Sequence, residues 1–270
     1  MYPRSFEYVC PSSVDEALEV MGEYGERASL LAGGQSLIPL MKMRLASPEV
    51  VVDLNRVSEL GGVREDGQSV VIGAMTRHRE LGDSPIARSL YPALADAAPL
   101  LTDPIVRNRG TVGGALDHAD PASDWCTTLL ALDASIEIRS AKSRRTMAID
   151  GFSKDSFVTG LAPHELLYAV RVPKPAPHSG SAFTKLKRKT GDFATVSVAA
   201  SATLDGHSAK RVRLALGGVA ATPIRVSRAG KDLGGPSPLG RDDPRVGPSA
   251  RAGVRSARAS VRGSRAPRGA

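Results

Sequence analysis

At 270 residues the chain can bury a sizeable core in about one to three compact units. No apolar run reaches bilayer-spanning length, and the N-terminus MYPRSFEYVC lacks a basic stretch followed by a long apolar one, so no membrane span is expected and the cytoplasm is the expected compartment. The net charge of +8 is confined to the end, where Arg225–Ala270 holds eleven Lys/Arg against three Asp while residues 1–224 carry 25 charges of each sign. That basic segment has no aromatic residue on which bases would stack, so no nucleic-acid partner is expected. Cys10 and Cys126 lack CxxC spacing, which excludes an iron–sulfur cluster or structural zinc held by this chain alone.

In chain order, an N-terminal strand precedes Ser13-Val14-Asp15-Glu16, which reads as a capping box. Val14, Ala17, Leu18 and Met21 then recur at helical spacing, predicting a helix over 14–24 that Gly25 ends. Residues 28–32 read as a strand running into AGGQSLIP, where a Gly-Gly turn with Gln35 and Ser36 as side-chain donors suits anionic oxygens. This is neither GxGxxG nor a P-loop. A strand over 50–54 closes a small α/β subdomain near Val57, and Val70-Val71-Ile72-Gly73 opens a second, with Thr76 capping a short helix over 77–81. Residues 88–100, rich in Ala and Leu, read as helical.

Arg107 to Asp124 is the stretch richest in site-like features. Gly110, Gly113 and Gly114 remove Cβ atoms from a turn, Thr111 adds a hydroxyl, and Asp120-Pro121 reads as N-cap and first turn of a helix through Leu129, Leu130 and Leu132. A tight turn with a capped helix accounts for GTVGG taken alone equally well; two glycine turns together suggest a pyrophosphate. Strands follow around Ile136 and Ile138 and over 165–172, and Pro173, Pro175 and Pro177 make a stiff connector. Residues 182–188, 193–204 and 211–219 read as a three-stranded antiparallel sheet that needs helices over one face. Those helices are absent: from Arg225 there are eight Gly and five Pro and no sustained helical stripe, so 226–270 is expected to be disordered. The abrupt change points to a reading-frame shift near Arg225, leaving Val196, Val198, Leu214 and Leu216 on an uncovered face.

The five histidines are scattered, and no Ser or Cys sits in a nucleophile elbow, which removes hydrolase chemistry. Asp117, His118, Asp120 and Asp124 would make a hard-metal cluster, but a helix cap plus one cofactor contact accounts for them with fewer assumptions, so no metal site is expected.

The segments AGGQSLIPLMKMRLASPEVVVDLNRV, IGAMTRHREL and DPIVRNRGTVGGALDHADPASD resemble the FAD-binding medium subunit of the molybdenum hydroxylases, the carbon monoxide dehydrogenase and xanthine dehydrogenase family, and the likeness runs from about Tyr2 to Arg225. It implies an α+β fold: a two-subdomain FAD-binding domain of the vanillyl-alcohol-oxidase type over 1–173 (subdomains about 1–57 and 58–173), then a C-terminal antiparallel-sheet domain over 178–225 that reads as truncated. The resemblance places Ala32, Gly33, Gly34, Gln35 and Ser36, with Gly110, Thr111, Gly113 and Gly114, at the FAD pyrophosphate, makes Leu37 a further cofactor-binding residue, and puts Thr76 beside the flavin. It makes Asp124 and Lys185 cofactor contacts, and Leu101 and Leu167 apolar walls. It also makes Phe193, in Thr190-Gly191-Asp192-Phe193, the aromatic cover of the isoalloxazine, where the family often has Tyr. Trp125 and Cys126 depart from the small or aliphatic residues usual there.

The function implied is electron transfer with no catalytic acid or base from this chain. A large molybdopterin subunit oxidises substrate, a small subunit relays electrons through [2Fe–2S] clusters, and FAD here passes them to an external acceptor. Two other readings stand beside it: a truncated paralogue with a basic tail that does not assemble, and a stand-alone FAD oxidoreductase of the same superfold.

Overall fold

The structure, a computed structural model, describes residues 2–206 and 208–227. The expectations of disorder, frame shift and truncation fall on the tail, which from residue 228 lies outside the described residues.

The first sheet forms from β1 (Glu7–Val9), β2 (Ala28–Leu31) and β3 (Val50–Asp53), parallel throughout and in the order β1-β3-β2. Helix α1 (Val14–Tyr24) has the predicted span because Ser13 Oγ accepts the Glu16 N–H at 3.2 Å. The Glu16 carboxylate reaches back to the N–H of Ser12 rather than Ser13, at 2.7 Å, and Gly25 at φ 58° ends the helix. Its apolar stripe Val14, Ala17 and Leu18 packs into one core with Val50 and Val52 of β3. Helix α2 (Leu37–Lys42) follows the first glycine turn.

The second sheet is antiparallel in the order β4-β5-β10-β6-β7, from β4 (Val63–Asp66), β5 (Ser69–Gly73), β6 (Ser135–Arg139), β7 (Arg144–Ala148) and β10 (Leu166–Pro173). A small hairpin, β8 (Ser153–Asp155) with β9 (Val158–Thr159), lies between β7 and β10 in sequence. Strand β10 joins two cores across the irregularity between Leu167 and Ala169, which switches the facing of the residues beyond it. Leu166 belongs to the core under α1, whereas Leu167, Val170 and Val172 belong to the larger one. That larger core is filled from the helices between β5 and β6. The Ala- and Leu-rich stretch resolves into α4 (Pro85–Leu90) and α5 (Pro92–Ala97), broken where Pro92 cannot continue a helix, and α3 (His78–Asp83), α6 (Pro104–Arg109), α7 (Val112–His118) and α8 (Asp124–Ala131) complete the set. Every residue of α8 is buried.

The third sheet is four-stranded rather than three-stranded: β11 (Ser179–Leu186), β12 (Val196–Asp205), β13 (Ser208–Gly217) and β14 (Ile224–Arg225), antiparallel and in that order. Helices for one of its faces come from earlier in the chain. Ser181 Oγ accepts the Ala93 N–H of α5 at 3.1 Å, Ser201 Oγ donates to Ala131 O of α8 at 2.7 Å, and Phe183, Ala199 and Ala215 enter the large core. The other face is not bare either: Val198 and Leu214 are 2% and 3% exposed, packed in a separate cluster with Ala182, Ala200 and Val212. The corner is closed electrostatically, since Asp133, after α8, pairs with Arg211, Arg213 and Arg225 of β13 and β14.

Tyr91 ties the helical layer to the end of β10. It is 2% exposed, and its hydroxyl donates to the carbonyls of Val172 and Pro173, each at 3.0 Å. Tyr91→Phe preserves the packing but removes the one hydroxyl proton that the two carbonyls share, leaving the buried Val172 oxygen without it, so urea unfolding should show a loss of about 1 kcal/mol with an unchanged m-value.

Candidate functional site

The site begins where β2 ends. Ala32 to Ser36 form a turn with Gly34 at φ +73°, a conformation that favours glycine. Among the described residues, none of the backbone N–H groups of Gly33, Gly34, Gln35 and Ser36 has an acceptor. Four successive unpaired donors make a concavity suited to an anion. Gln35 turns its side chain onto the turn itself, its Nε2 donating to Gly33 O at 3.2 Å, and Ser36 occupies the N-cap position of α2 without a side-chain cap bond. Leu37 is the first residue of α2.

The second glycine stretch is built differently from the open turn its sequence suggests. Thr111 caps α7, its Oγ1 accepting the Gly114 N–H at 3.1 Å, so Gly113 and Gly114 lie in the first helical turn. The amides here are already used: Val112 N–H reaches Thr76 O at 3.0 Å, Gly113 N–H reaches Ala74 O at 2.8 Å, and Ala115 N–H reaches Thr111 O at 3.0 Å. Absence of Cβ serves close packing instead. A Cβ on Gly113 would stand 2.7 Å from that of Ala74, and one on Gly110 would stand 2.5 Å from Nε2 of His78. The two glycine stretches meet directly, since a Cβ on Gly33 would lie 2.3 Å from Arg109 O and 2.7 Å from the Gly110 Cα.

Behind this contact runs a polar chain absent from the sequence reading. Asn55 Nδ2 donates to Ala32 O at 3.1 Å, Arg77 donates to Asn55 Oδ1 and to Arg109 O, and Asp53 is held by the Asn55 N–H at 2.9 Å and by the Tyr8 hydroxyl at 2.5 Å. Asp53 and Asn55 follow a buried strand in the manner of an Asx turn, which was the only local signal. Thr76 is not a helix cap: it is fully buried with its hydroxyl on Gly62 O at 2.9 Å, while Glu80 caps α3 by accepting the Arg77 N–H at 2.9 Å.

A buried ion pair forms the third part. Asp124, first residue of α8, and Lys185 of β11 meet at 2.7 Å with side chains 6% and 1% exposed. The N-cap is Ser123, not Asp120, whose Oδ1 instead accepts the Ala122 N–H at 2.8 Å in a turn of its own. Burial pushes the Asp124 carboxyl above its ordinary range, opposed by the Lys185 ammonium. Among the described residues Asp124 Oδ1 is buried with no hydrogen-bond partner, which leaves one carboxylate oxygen for a donor. Lys185 Nζ also donates to Asp192 O at 3.3 Å, tying the Thr190–Phe193 loop to the pair. Phe193 is 57% exposed, whereas Leu101 and Leu167 are buried. Gly191 faces Thr102, next to Leu101. The structure thus groups residues 32–36 with 109–110, Thr76 with 111–113, and Asp124 with Lys185 and the 190–193 loop.

Trp125 is fully buried and donates from Nε1 to Nδ1 of His78 at 2.9 Å, joining α8 to the start of α3. Burial, with the charges of Arg77 and Arg107, pushes the His78 imidazole down to about 4, so the ring is neutral with its proton on Nε2. Burial pushes the Cys126 thiol up to about 11. Among the described residues no group of His, Cys, Asp and Glu is arranged to hold a metal ion, and no helix is long and apolar enough to cross a membrane.

The family described as the FAD binding domain in molybdopterin dehydrogenase matches residues 4–175, and the CO dehydrogenase flavoprotein C-terminal domain matches residues 181–239. The carbon monoxide dehydrogenase medium chain of Hydrogenophaga pseudoflava is 45% identical over 225 residues, covering 83% of this chain and 78% of that one. The corresponding medium chain of Afipia carboxidovorans is 40% identical over 235 residues, covering 87% and 82%. Among solved structures, carbon monoxide dehydrogenase from Hydrogenophaga pseudoflava lacking the Mo-pyranopterin moiety aligns with TM-score 0.91 and 38% identity, covering 96% of this chain and 99% of that one.

The neutral His78 has a consequence for pH dependence. Its folded value lies below the ~6.5 of an unfolded histidine, so its stabilising contribution is complete above that pH and is lost as pH falls toward 4. Denaturant unfolding should therefore show wild-type stability falling by a few kcal/mol more between pH 7 and about pH 4.5 than that of His78→Gln, which has no such proton to bind.

Proposed function

We propose a function from one premise: the chain belongs to the FAD-binding family of the molybdopterin dehydrogenases, and is an oxidoreductase subunit whose cofactor is FAD. On this reading it is the electron-transfer subunit of a molybdenum hydroxylase complex, taking electrons from [2Fe–2S] clusters of a small partner subunit and passing them to an external acceptor. A large molybdopterin subunit selects and oxidises the substrate. The relatives' designation as medium chains supports partners of this kind. Cytoplasmic residence and a vanillyl-alcohol-oxidase type of fold over 1–173, followed by a flavoprotein C-terminal unit, belong to the same proposal; the C-terminal family match runs past Arg225 to residue 239.

The observation that carries it is a complementary set of unfilled groups: four unpaired amides at Gly33–Ser36 and one unpaired, buried carboxylate oxygen at Asp124. A pyrophosphate supplies only acceptors, and a flavin or ribityl chain supplies N–H and O–H donors, so one FAD satisfies both. When bound, FAD supplies the redox chemistry. The chain's part is to bind and orient. The amides of 33–36 hold the diphosphate, and Leu37 starts the helix behind them. Asp124, held by Lys185, offers Oδ1 to a cofactor donor, Leu101 and Leu167 give apolar walls, and Phe193 covers the ring. Gly110, Thr111, Gly113, Gly114 and Thr76 act from behind, as the close-packed support on which the 32–36 turn rests.

The test is flavin content and its mode of attachment. One FAD per chain should bind without a covalent bond, because neither glycine stretch contains a Cys or His, and acid precipitation should release all yellow colour into the supernatant. Gly34→Val, which forces a β-branched residue into φ +73° with its Cβ 2.7 Å from Ile38, should weaken FAD binding at least about tenfold by fluorescence titration. Wild-type affinity in that variant would remove the 33–36 cradle.

A further inference from the structure

A trans peptide is planar, so the carbonyl of Ala32 and the N–H of Gly33 belong to one rigid unit and point in opposite directions. Whatever holds the Ala32 oxygen therefore aims the Gly33 donor. Asn55 Nδ2 holds it, at 3.1 Å, from the side away from the open amides. Arg77 holds the peptide on which Gly33 rests: its guanidinium donates to Arg109 O, the atom that a Cβ on Gly33 would meet at 2.3 Å. Arg77 also donates to Asn55 Oδ1, closing the two grips into one unit, and Asp53 with Tyr8 anchors the Asn55 end.

From this arrangement we infer that Asn55 and Arg77 are positioning residues for the diphosphate cradle: a side-chain clasp that sets the direction of the Gly33 N–H and the spacing of the two glycine stretches, without touching the cofactor. The inference rests on the reading that Gly33–Ser36 hold the diphosphate of FAD.

Neither side chain is there to fill a core. Asn55 is exposed, Arg77 is intermediate in burial, and both border an open cleft of about 570 Å³ that residues 32–36 do not line. Truncating them leaves no closed cavity, so the large cost of core deletions does not arise. What is lost is the restraint on two peptide planes, and an amide turned away from its acceptor forfeits a charge-assisted hydrogen bond to phosphate. One such bond corresponds to about a tenfold change in affinity.

The experiment titrates FAD and riboflavin, which lacks the diphosphate, into the full chain freed of flavin, and records the melting temperature of the flavin-free protein. Wild type, Asn55→Ala, Arg77→Ala, Arg77→Lys and the double Asn55→Ala/Arg77→Ala variant are compared. Wild type should prefer FAD by about a hundredfold or more, as the diphosphate bonds require. Each alanine variant should weaken FAD about tenfold, with riboflavin affinity and melting temperature unchanged. Arg77→Lys should recover part of the loss, because it keeps a donor for Arg109 O. The double variant should lose little more than the weaker single one, because the two residues act as one unit. Unchanged FAD affinity in both alanine variants, with the wild-type preference intact, would overturn the clasp and leave the cradle standing. Equal weakening of FAD and riboflavin with a lowered melting temperature would also overturn it, as a merely structural role. Equal affinity of wild type for FAD and riboflavin would overturn the cradle itself.

Discussion

The structure depends on a contact between two backbones. Gly33 lies so close to the Arg109–Gly110 peptide that a methyl group at position 33 would stand 2.3 Å from a carbonyl oxygen. Because that approach leaves no room for any side chain, glycine is required at 33 for packing before any ligand is considered. The same economy recurs a few residues on, where Gly110 lies against the His78 ring and Gly113 against Ala74. Three segments distant in sequence, 32–36, 74–78 and 110–114, are thereby locked into one layer. The unpaired amides of 33–36 rest on this close contact, which any side chain at 33 would pry apart, and the polar groups behind it hold the peptide planes in register.

The second organising interaction is the buried pair Asp124–Lys185. It joins the first residue of α8 to β11, and so fastens the third sheet to the helical layer of the second. Such pairs contribute little net stability once desolvation is counted, while removing one partner is costly. Stability at this junction comes instead from the apolar residues Phe183, Ala199 and Ala215 in the shared core. The ion pair is better understood as fixing a carboxylate at a defined place with one oxygen unfilled. Lys185 extends that control to the 190–193 loop through the Asp192 carbonyl.

How much of this was legible in the sequence follows from the range of the forces involved. The helix at Val14–Tyr24 was readable in full, because cap, apolar period and terminating glycine are all local, and strands β3, β5, β6 and β10 were readable from their alternation or apolar runs. Helix α7 was not, since two glycines among its first three residues argue against a helix, and only packing on Ala74 and Thr76 offsets their poor propensity. Asp120 and Ser123 are both good caps, and the choice between them is settled by α8 being buried along its whole length. The cover of the third sheet was sought after it in sequence, whereas α5 and α8 supply it from some 50 to 90 residues earlier. The Asn55–Arg77 bridge joins residues 22 apart and then reaches carbonyls on two further segments, a pattern with no periodicity to betray it.

The titratable groups around the site suit cofactor binding better than acid–base catalysis. An acid or base that works near neutral pH needs a pKa near neutrality and reach to a reacting atom. His78 is driven the other way, down to about 4, and its Nδ1 is occupied by Trp125. The Cys126 thiol, pushed up to about 11 and fully enclosed, is no nucleophile. Asp124 is committed to Lys185 through one oxygen and leaves the other as an acceptor. What remains is a rigid array of donors and one acceptor, with few charges to reorganise as the charge on a bound cofactor changes. That suits a subunit whose chemistry belongs to its flavin, and whose own residues need only hold that flavin in place.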